Sequence, residues 1–274
     1  MRFTWGKSAT AGFVVGGVLA GVTVAAATGA LVVKGQNNSG ASLNCPGGVT
    51  SLEHVFDESN SMFPGDPETH ISLAATVQAD GYQVEAVELG THTGTHIDAP
   101  GHFIQGGRLL DDLRARELVM PVYVIDVRAR IAQVLADGGT PDFQLSIGDI
   151  KAAEKAQGRI PARALVVIQT GFDAKFATPA YDDPAPGFAG NAVQWLVDNR
   201  NVSGLGSDTY GPDATSDGDF MATYTILLND GIAVPGLNNV SELNRTGDIV
   251  ILSPVRLRDG SGFQINPLAC HGRR

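Results

Sequence analysis

Cysteine is scarce in this chain, with two residues among 274, at positions 45 and 270. Structural zinc sites usually have four protein ligands rich in thiolate, so the sequence argues against a structural zinc finger. Charged residues are also sparse, at 18%, whereas 43% of the residues are hydrophobic, which argues against bulk disorder. The Gly-x-Ser-x-Gly elbow of many serine hydrolases is absent. The length suits one ordinary domain with an extra segment.

Acidic residues are missing from positions 1–44. The rest of the chain carries 16 basic and 29 acidic side chains, a net charge of −13, which makes nucleic acid a poor partner. Arg2 and Lys7 precede an uncharged run over 8–33 that is long enough to span a bilayer and also contains small residues typical of cleavage sites. Residues 1–33 are therefore predicted to be a signal peptide or a membrane anchor. Both alternatives place the rest of the chain outside the cytoplasm, secreted or anchored, with membrane contact only through this segment.

Residues 34–50 are polar and rich in glycine, asparagine and proline, which predicts a flexible linker before a domain over 51–274. Cys45 lies near the end of this linker, and Cys270 lies four residues from the C-terminus. In an exported protein an even pair of cysteines suggests a disulfide, which would tie the ends of the domain together. Two unrelated thiols remain the alternative, because the sequence does not show that the two ends meet.

Three of the six histidines and one aspartate fall between positions 91 and 103: His92, His96, Asp98 and His102. Two imidazoles and a carboxylate can hold a borderline divalent cation such as Zn²⁺ or Mn²⁺ and leave positions open for water or substrate. This is the ligand set of a catalytic site rather than of a structural one.

The backbone around these residues has to bend if they are to share one ion. Glycine, proline and three threonines argue against a helix. A strand places positions 92, 96 and 98 on one face, but four extended residues span roughly 13 Å. We therefore expect a bend near Thr93-Gly94, followed by a turn at Pro100-Gly101 that brings His102 back towards the ion.

The histidine segment resembles the signature of the cyclase-like metal-dependent hydrolase family, which includes bacterial kynurenine formamidase and isatin hydrolase. That signature has the form His-x-Gly-Thr-His-x-Asp-x-Pro-x-His, and every fixed position is met from His92 to His102. The resemblance implies the family's swivelling β/β/α fold over roughly residues 50–270. It also implies a small-molecule substrate, and a homo-oligomer is expected because the relatives are commonly dimers or larger.

Hydrophobic patterns and turn residues predict a β-rich first half followed by alternating strands and helices, which implies one α/β domain. The first two strands form a hairpin around Asp80-Gly81. The predicted strands are 71–78, 82–89, 118–127, 164–168, 202–207 and 248–257. The predicted helices are 150–157, with a cap at Ser146, and 189–200.

Three polar residues match segments that are common in the family. Gln169 or Thr170 is predicted to line the pocket, or else to hydrogen-bond at the end of a strand. Asp208 is predicted to support a ligand histidine, with capping of a turn as the alternative.

The family pattern is broken at two positions. Many relatives carry a histidine where this chain has Thr223, and a glutamate in the segment where it has Pro235. A hydroxyl is a poor substitute for imidazole or carboxylate around a dication, so we expect one metal ion, held by His92, His96 and Asp98. Tyr224 either takes over a hydrogen-bonding role or packs in the core.

The function expected from this resemblance is an exported metal-dependent hydrolase of a small amide or lactam C–N bond. One Zn²⁺ or Mn²⁺ ion would acidify a water and polarise the substrate carbonyl. His102 would accept the proton of that water and pass it to the leaving nitrogen. The alternatives are a secreted metal-binding module that has lost catalysis, and a metal-assisted lyase or cyclase.

Overall fold

A computed structural model describes residues 45–272 of the protein as a mixed α/β domain. The segment predicted to be a signal peptide or anchor, and residues 34–44 of the predicted linker, lie outside the described residues. Within 45–272, no helix is both long enough and apolar enough to cross a membrane.

Thirteen strands and five α-helices make up the described part of the chain. The strands are β1 Val49–Ser51, β2 His70–Ala75, β3 Val84–Glu88, β4 His96–Asp98, β5 Val119–Asp126, β6 Gln144–Leu145, β7 Leu165–Gln169, β8 Gly187–Phe188, β9 Gly204–Ser207, β10 Ile232–Val234, β11 Thr246–Ile251, β12 Gly262–Gln264 and β13 Leu268–Cys270. The helices are α1 Val77–Asp80, α2 Arg128–Ala136, α3 Ile147–Gln157, α4 Gly190–Arg200 and α5 Met221–Leu228.

Nine strands form one sheet in the order β1-β13-β11-β5-β7-β9-β10-β4-β12. The four strands β5, β7, β9 and β10 run parallel, and every other pairing in this sheet is antiparallel. Strand β4, which carries two of the predicted metal ligands, lies between β10 and β12. The site is therefore built on the sheet, beside the carboxyl ends of its parallel strands, where ligands of α/β proteins usually bind.

Both faces of the central strands are buried, because successive side chains of a strand point to opposite sides. Val122 and Val124 of β5 enter one apolar core, whereas Tyr123 and Ile125 enter the other. The second core is covered by helices α2 to α5 through buried residues such as Ile150. This two-layer burial explains why β5 and β7 have nearly continuous apolar sequences.

Most predicted elements are confirmed within a few residues, and helix α3 has the expected capping box between Ser146 and Asp149. The hairpin β2–β3 is also confirmed, although residues 77–78 of its first predicted strand belong to the short helix α1. The last predicted strand, 248–257, is wrong at its end because β11 stops at Ile251. Pro254 follows shortly, and a proline cannot donate a ladder hydrogen bond.

The two cysteines form the expected disulfide, with Cα atoms 5.1 Å apart. It joins β13 to residues just before β1, and these two strands pair from Val49 to Ser51. Residues 45–50, the last part of the predicted linker, are therefore part of the folded unit. The sequence composition could not show this, because the strand is short and its partner lies at the other end of the chain.

We expect removal of the disulfide by Cys45→Ser with Cys270→Ser to lower the free energy of unfolding by about 2–5 kcal/mol, because the bond closes a long loop in the unfolded chain. Urea unfolding of the two proteins measures the difference. Wild-type protein treated with a reductant serves as the control and should match the double variant. Equal stability of oxidised wild type and double variant would contradict the prediction.

Candidate active site

The histidine segment bends where the sequence predicts it. Gly94 has a φ of +70°, a backbone conformation that glycine adopts without steric cost, and residues 91–95 form a turn before β4 begins at His96. Pro100–His102 then forms one turn of 3₁₀-helix. The bend brings His92 back beside the strand that carries His96 and Asp98.

His92, His96 and Asp98 converge on one point, with ligand atoms all within 4.8 Å of one another. Asp98 Oδ1 lies 2.8 Å from His92 Nδ1 and 3.2 Å from His96 Nε2. Within residues 45–272 this is the only group of three or more histidine, cysteine or acidic side chains arranged to hold a metal ion. The donor set of two imidazoles and one carboxylate fits a divalent cation of the Zn²⁺ or Mn²⁺ type.

The backbone and a neighbouring loop orient the two imidazoles. His96 Nδ1 donates a hydrogen bond to the Gly94 carbonyl oxygen at 2.8 Å, which turns Nε2 towards Asp98 and makes Nε2 the nitrogen that a cation would replace a proton on. His92 Nε2 lies 2.9 Å from the Ser261 hydroxyl. A Cβ atom at Gly262 would lie 2.3 Å from His92 Cε1, so only glycine leaves room for this ring.

The charges of the cluster depend on each other. Burial opposes ionisation of Asp98, but the adjacent His96 and hydrogen bonds from both imidazoles outweigh it and lower the pKa of Asp98 well below its usual value. Burial alone would lower the pKa of His96, yet Asp98 and the Gly94 carbonyl raise it overall. The cluster therefore favours a charged carboxylate that attracts a cation.

His102 lies beside the cluster, with its ring stacked on that of His92 at a centroid distance of 3.7 Å. Burial lowers the pKa of His102, although Asp98 partly opposes this. Among the described residues none hydrogen-bonds its ring nitrogens. Its imidazole is thus a neutral base at neutral pH that faces the same cavity as the three clustered residues.

All four residues open into a cavity of about 520 Å³. Aromatic rings form much of its wall, including Phe63, Phe103, Tyr210 and Phe220. A cavity of this size with a few convergent polar groups is typical of a small-molecule site.

Comparison with known proteins identifies the family. Residues 50–214 match the family model Cyclase, described as "Putative cyclase". An isatin hydrolase of Roseibium aggregatum is 32% identical over 220 residues, which cover 74% of this chain and 81% of that protein. The chain belongs to the cyclase family. A kynurenine formamidase of Salinibacter ruber is 37% identical over 88 residues, which cover 31% of this chain and 42% of that protein.

Solved structures of this family agree with the fold. A crystal structure of an isatin hydrolase bound to the product analogue thioisatinate superposes with a TM-score of 0.73 at 27% identity, over 81% of this chain and 91% of that one. Isatin hydrolase A from Labrenzia aggregata, bound to benzyl benzoate, gives 0.74 at 26% identity, over 82% and 94%. As a member of the cyclase family, the chain is a metal-dependent hydrolase.

Thr223 and Pro235, where the resemblance predicts a departure from the family pattern, both line the cavity. The Thr223 hydroxyl donates to Asp213, and that carboxylate also accepts hydrogen bonds from the Ala222 and Thr223 backbone at the start of α5. Pro235 and Gly236 pack their backbone against the histidine segment, where the Pro235 carbonyl accepts from His96 N. The departures therefore change the wall of the active site itself.

The pocket role predicted for Gln169 or Thr170 and the support of a ligand histidine predicted for Asp208 are both wrong. Each residue takes the alternative role, in hydrogen bonds at a strand end or turn. Gln169 and Thr170 are buried and do not line the cavity. Asp208 contacts no histidine and instead accepts hydrogen bonds from the Thr170 hydroxyl and from the Thr170 and Gly171 backbone. Burial raises the pKa of Asp208 to about 6, against these bonds. These residues stabilise the loop after β7 rather than the ligands.

Tyr224 takes neither of its predicted roles, because it is 39% exposed on α5 and lies outside the cavity wall.

Several residues that line the cavity were not foreseen. Phe63 and Asp66 come from the Phe63–Pro67 turn, which has no chemical signature of its own. Asp213 and Phe220 come from a loop rich in aspartate and glycine that shows no periodic pattern. Ser261, which contacts His92, lies in a glycine-rich turn that likewise carries no signature.

Asp213 makes stability depend on pH. Burial raises its pKa to about 6, although its hydrogen bonds with Thr223 and the Ala222 backbone oppose the shift. Between its unfolded pKa near 4 and its folded pKa near 6, the native state holds the proton more tightly, so the free energy of unfolding falls as pH rises. Asp213→Asn is uncharged throughout, and the wild type should lose about 1–3 kcal/mol relative to it between pH 4 and pH 7.

Urea unfolding at several pH values measures this difference. Asp149→Asn is the matched control, since Asp149 also caps a helix but hydrogen bonds from Ser146 lower its pKa despite partial burial. The contribution of Asp149 should therefore be lost as pH falls, which is the opposite sign. Parallel slopes for wild type and Asp213→Asn would contradict the prediction.

Proposed function

We propose that this protein hydrolyses a small amide or lactam C–N bond, with one divalent ion held by His92, His96 and Asp98. The observation that carries the proposal is the convergence of these three side chains beside His102 in one cavity. The curated relatives named isatin hydrolase and kynurenine formamidase support the amide or lactam as the substrate class. We also propose that this α/β fold is of the swivelling β/β/α type.

The site fits such an ion for a reason seen in the residues themselves. Asp98 is buried, and no lysine or arginine of the described chain pairs with it. A buried carboxylate beside two imidazoles, with His96 Nε2 directed at it, is a suitable ligand set for a cation that takes the place of the shared protons. When bound, a divalent ion of this kind activates water and polarises a carbonyl group.

His102 provides the proton transfer. Its neutral imidazole accepts a proton from the attacking water and donates it to the leaving nitrogen, so the amide and water become a carboxylic acid and an amine. Stacking on His92 fixes the plane of the ring next to the carboxylate cluster. Aromatic rings line much of the rest of the cavity and offer apolar surface to a substrate.

Export is part of the proposal. It is supported by the acid-free hydrophobic run near the N-terminus and by the Cys45–Cys270 disulfide, a bond that persists in oxidising compartments. A homo-oligomer is likewise proposed from the relatives alone. Elemental analysis of the native protein decides between Zn²⁺ and Mn²⁺.

A catalytically impaired member of the family that keeps the metal cluster is the second candidate. Thr223 and Pro235 favour it, because relatives carry a histidine and a glutamate there and both positions line this cavity. Turnover of a panel of amides by the purified protein with Mn²⁺ or Zn²⁺ separates the two candidates.

His96→Ala should abolish both metal uptake and turnover, since it removes one of three ligands from the cluster. Elemental analysis after dialysis against Mn²⁺ or Zn²⁺ gives the stoichiometry, expected to be one ion per chain in the wild type. His70→Ala is the matched control, because His70 is exposed on β2 and lies outside the cavity. An active variant without metal would refute the proposal.

His102→Gln should keep the metal and lose turnover by about 10²–10⁴-fold, because glutamine retains polarity but cannot transfer a proton. Metal stoichiometry and amide hydrolysis are measured on the same preparation. If the variant retains more than a tenth of the wild-type rate, His102 is not the base.

A further inference from the structure

The active-site cavity is strongly acidic, and its lining contains no lysine or arginine. Six aspartates take part: Asp66, Asp98, Asp182, Asp183, Asp213 and Asp217. We infer that the cavity selects aryl substrates that are neutral or cationic and discriminates against anionic ones. The inference rests on the proposed amide hydrolysis and adds a charge preference to it.

Only two of the six carboxylates have a positive partner that balances their charge. Asp98 belongs to the metal cluster, and Asp183 forms an ion pair with Lys175 at 3.1 Å. The other four make no ion pair with any described lysine, arginine or histidine. A divalent cation at the metal cluster balances Asp98 and leaves one further positive charge, so at least three of these four carboxylates stay uncompensated.

Hydrogen bonds keep some of the unpaired carboxylates in place without neutralising them. Asp182 accepts the Tyr210 hydroxyl hydrogen bond at 2.6 Å, and Asp217 accepts from Met221 N at 3.1 Å. Asp213 is held at the start of α5 by Thr223. The negative charge is therefore positioned around the cavity and does not depend on mobile side chains.

Aromatic rings connect this acidic wall to the catalytic histidine. Phe103 packs edge-to-face on Phe220, Phe220 on Phe63, and Phe63 on Tyr210, with centroids about 6 Å apart. Phe63 and Phe103 are 42% and 36% exposed, so their surfaces are available to a planar ligand. Ring faces carry partial negative charge and attract cations, in the same sense as the carboxylates.

These two features act together on a bound aryl group. The rings bury its apolar surface, and the carboxylates repel a negative substituent close to them. A cleft lined by charges of one sign changes the local concentration of a charged ligand by about tenfold or more at low salt. The discrimination should shrink at high salt, because the Debye length shortens.

Three matched ligands test the preference: benzyl alcohol, benzyltrimethylammonium and benzylsulfonate. Calorimetric titration of the full chain with Mn²⁺ present, and again without it, gives their affinities. We expect the cation and the alcohol to bind at least about tenfold more tightly than the sulfonate at low salt, with a smaller gap at high salt. Formanilides carrying the same three substituents at the para position extend the test to kcat/KM.

A pair of double variants separates the cavity field from net charge. Asp182→Asn with Asp217→Asn keeps hydrogen-bond acceptors at both positions and should reduce the discrimination several-fold. Asp137→Asn with Asp198→Asn makes the same change in net charge at exposed positions outside the cavity, and should leave the ratio unchanged. Thermal unfolding checks that both variants are folded.

The outcomes distinguish this inference from the proposed function. If the sulfonate binds as tightly as the cation, or none of the three ligands binds, the charge preference is wrong whatever the catalytic result. If the binding order holds but no amide is hydrolysed, the preference is supported and the hydrolase proposal fails. If both double variants lower the discrimination equally, net charge explains it and the cavity does not.

Discussion

The contact of one buried carboxylate oxygen with two imidazoles is the interaction on which the active site depends. Asp98 Oδ1 reaches both His92 and His96, although these histidines lie on different parts of the chain's path, one in a turn and one in a strand. Leaving such a carboxylate buried without a cation is costly. The surrounding fold therefore has to hold the cluster in place, through β10 and β12 on either side of β4 and through the close packing of Gly262 on His92.

That support extends to the N-terminal end of the folded unit. The disulfide and the pairing with β13 fix β1, and the chain then passes to His54, whose backbone N–H donates to the Thr95 hydroxyl. Thr95 in turn donates to the Gly236 carbonyl, so it joins the N-terminal segment to the loop after β10. Since Thr95 immediately precedes His96, a short edge strand contributes to the position of a metal ligand.

The sequence predicts the metal cluster better than it predicts the cavity around it, and the reason is distance along the chain. His92, His96 and Asp98 lie within seven residues, so the glycine between them and the composition of the segment determine the bend. Phe63, Asp213 and Phe220 reach the cavity from separate loops, where neither periodicity nor local composition reports which side chains will meet. The family resemblance drew attention to Thr223 and Pro235, and the structure places both in the cavity wall.

Asp208 is a second case in which the local sequence does not determine what a side chain contacts. A carboxylate at the end of a parallel strand can reach either a ligand histidine or the backbone of the next loop, and the residue type is equally suited to both. Here the Thr170 and Gly171 N–H groups are the nearer donors, so the carboxylate stabilises the loop after β7. The choice depends on the spacing between β7 and β9, which is a property of the sheet and not of the local sequence.

The cavity wall around Thr223 and Pro235 also affects how many cations the cavity can hold. Thr223 uses its hydroxyl on Asp213, which leaves that position without an imidazole, and Pro235 brings no ionisable group. Gly236 packs so closely on the histidine segment that a Cβ atom there would lie 2.6 Å from the Gly94 carbonyl oxygen. Backbone packing thus occupies the space between this loop and the histidine segment. Asp213 is the carboxylate that Thr223 contacts, and a carboxylate already held by hydroxyl and backbone donors is a weak ligand for a second dication. These contacts support the proposed chemistry at one ion, with the remaining aspartates acting through their charge.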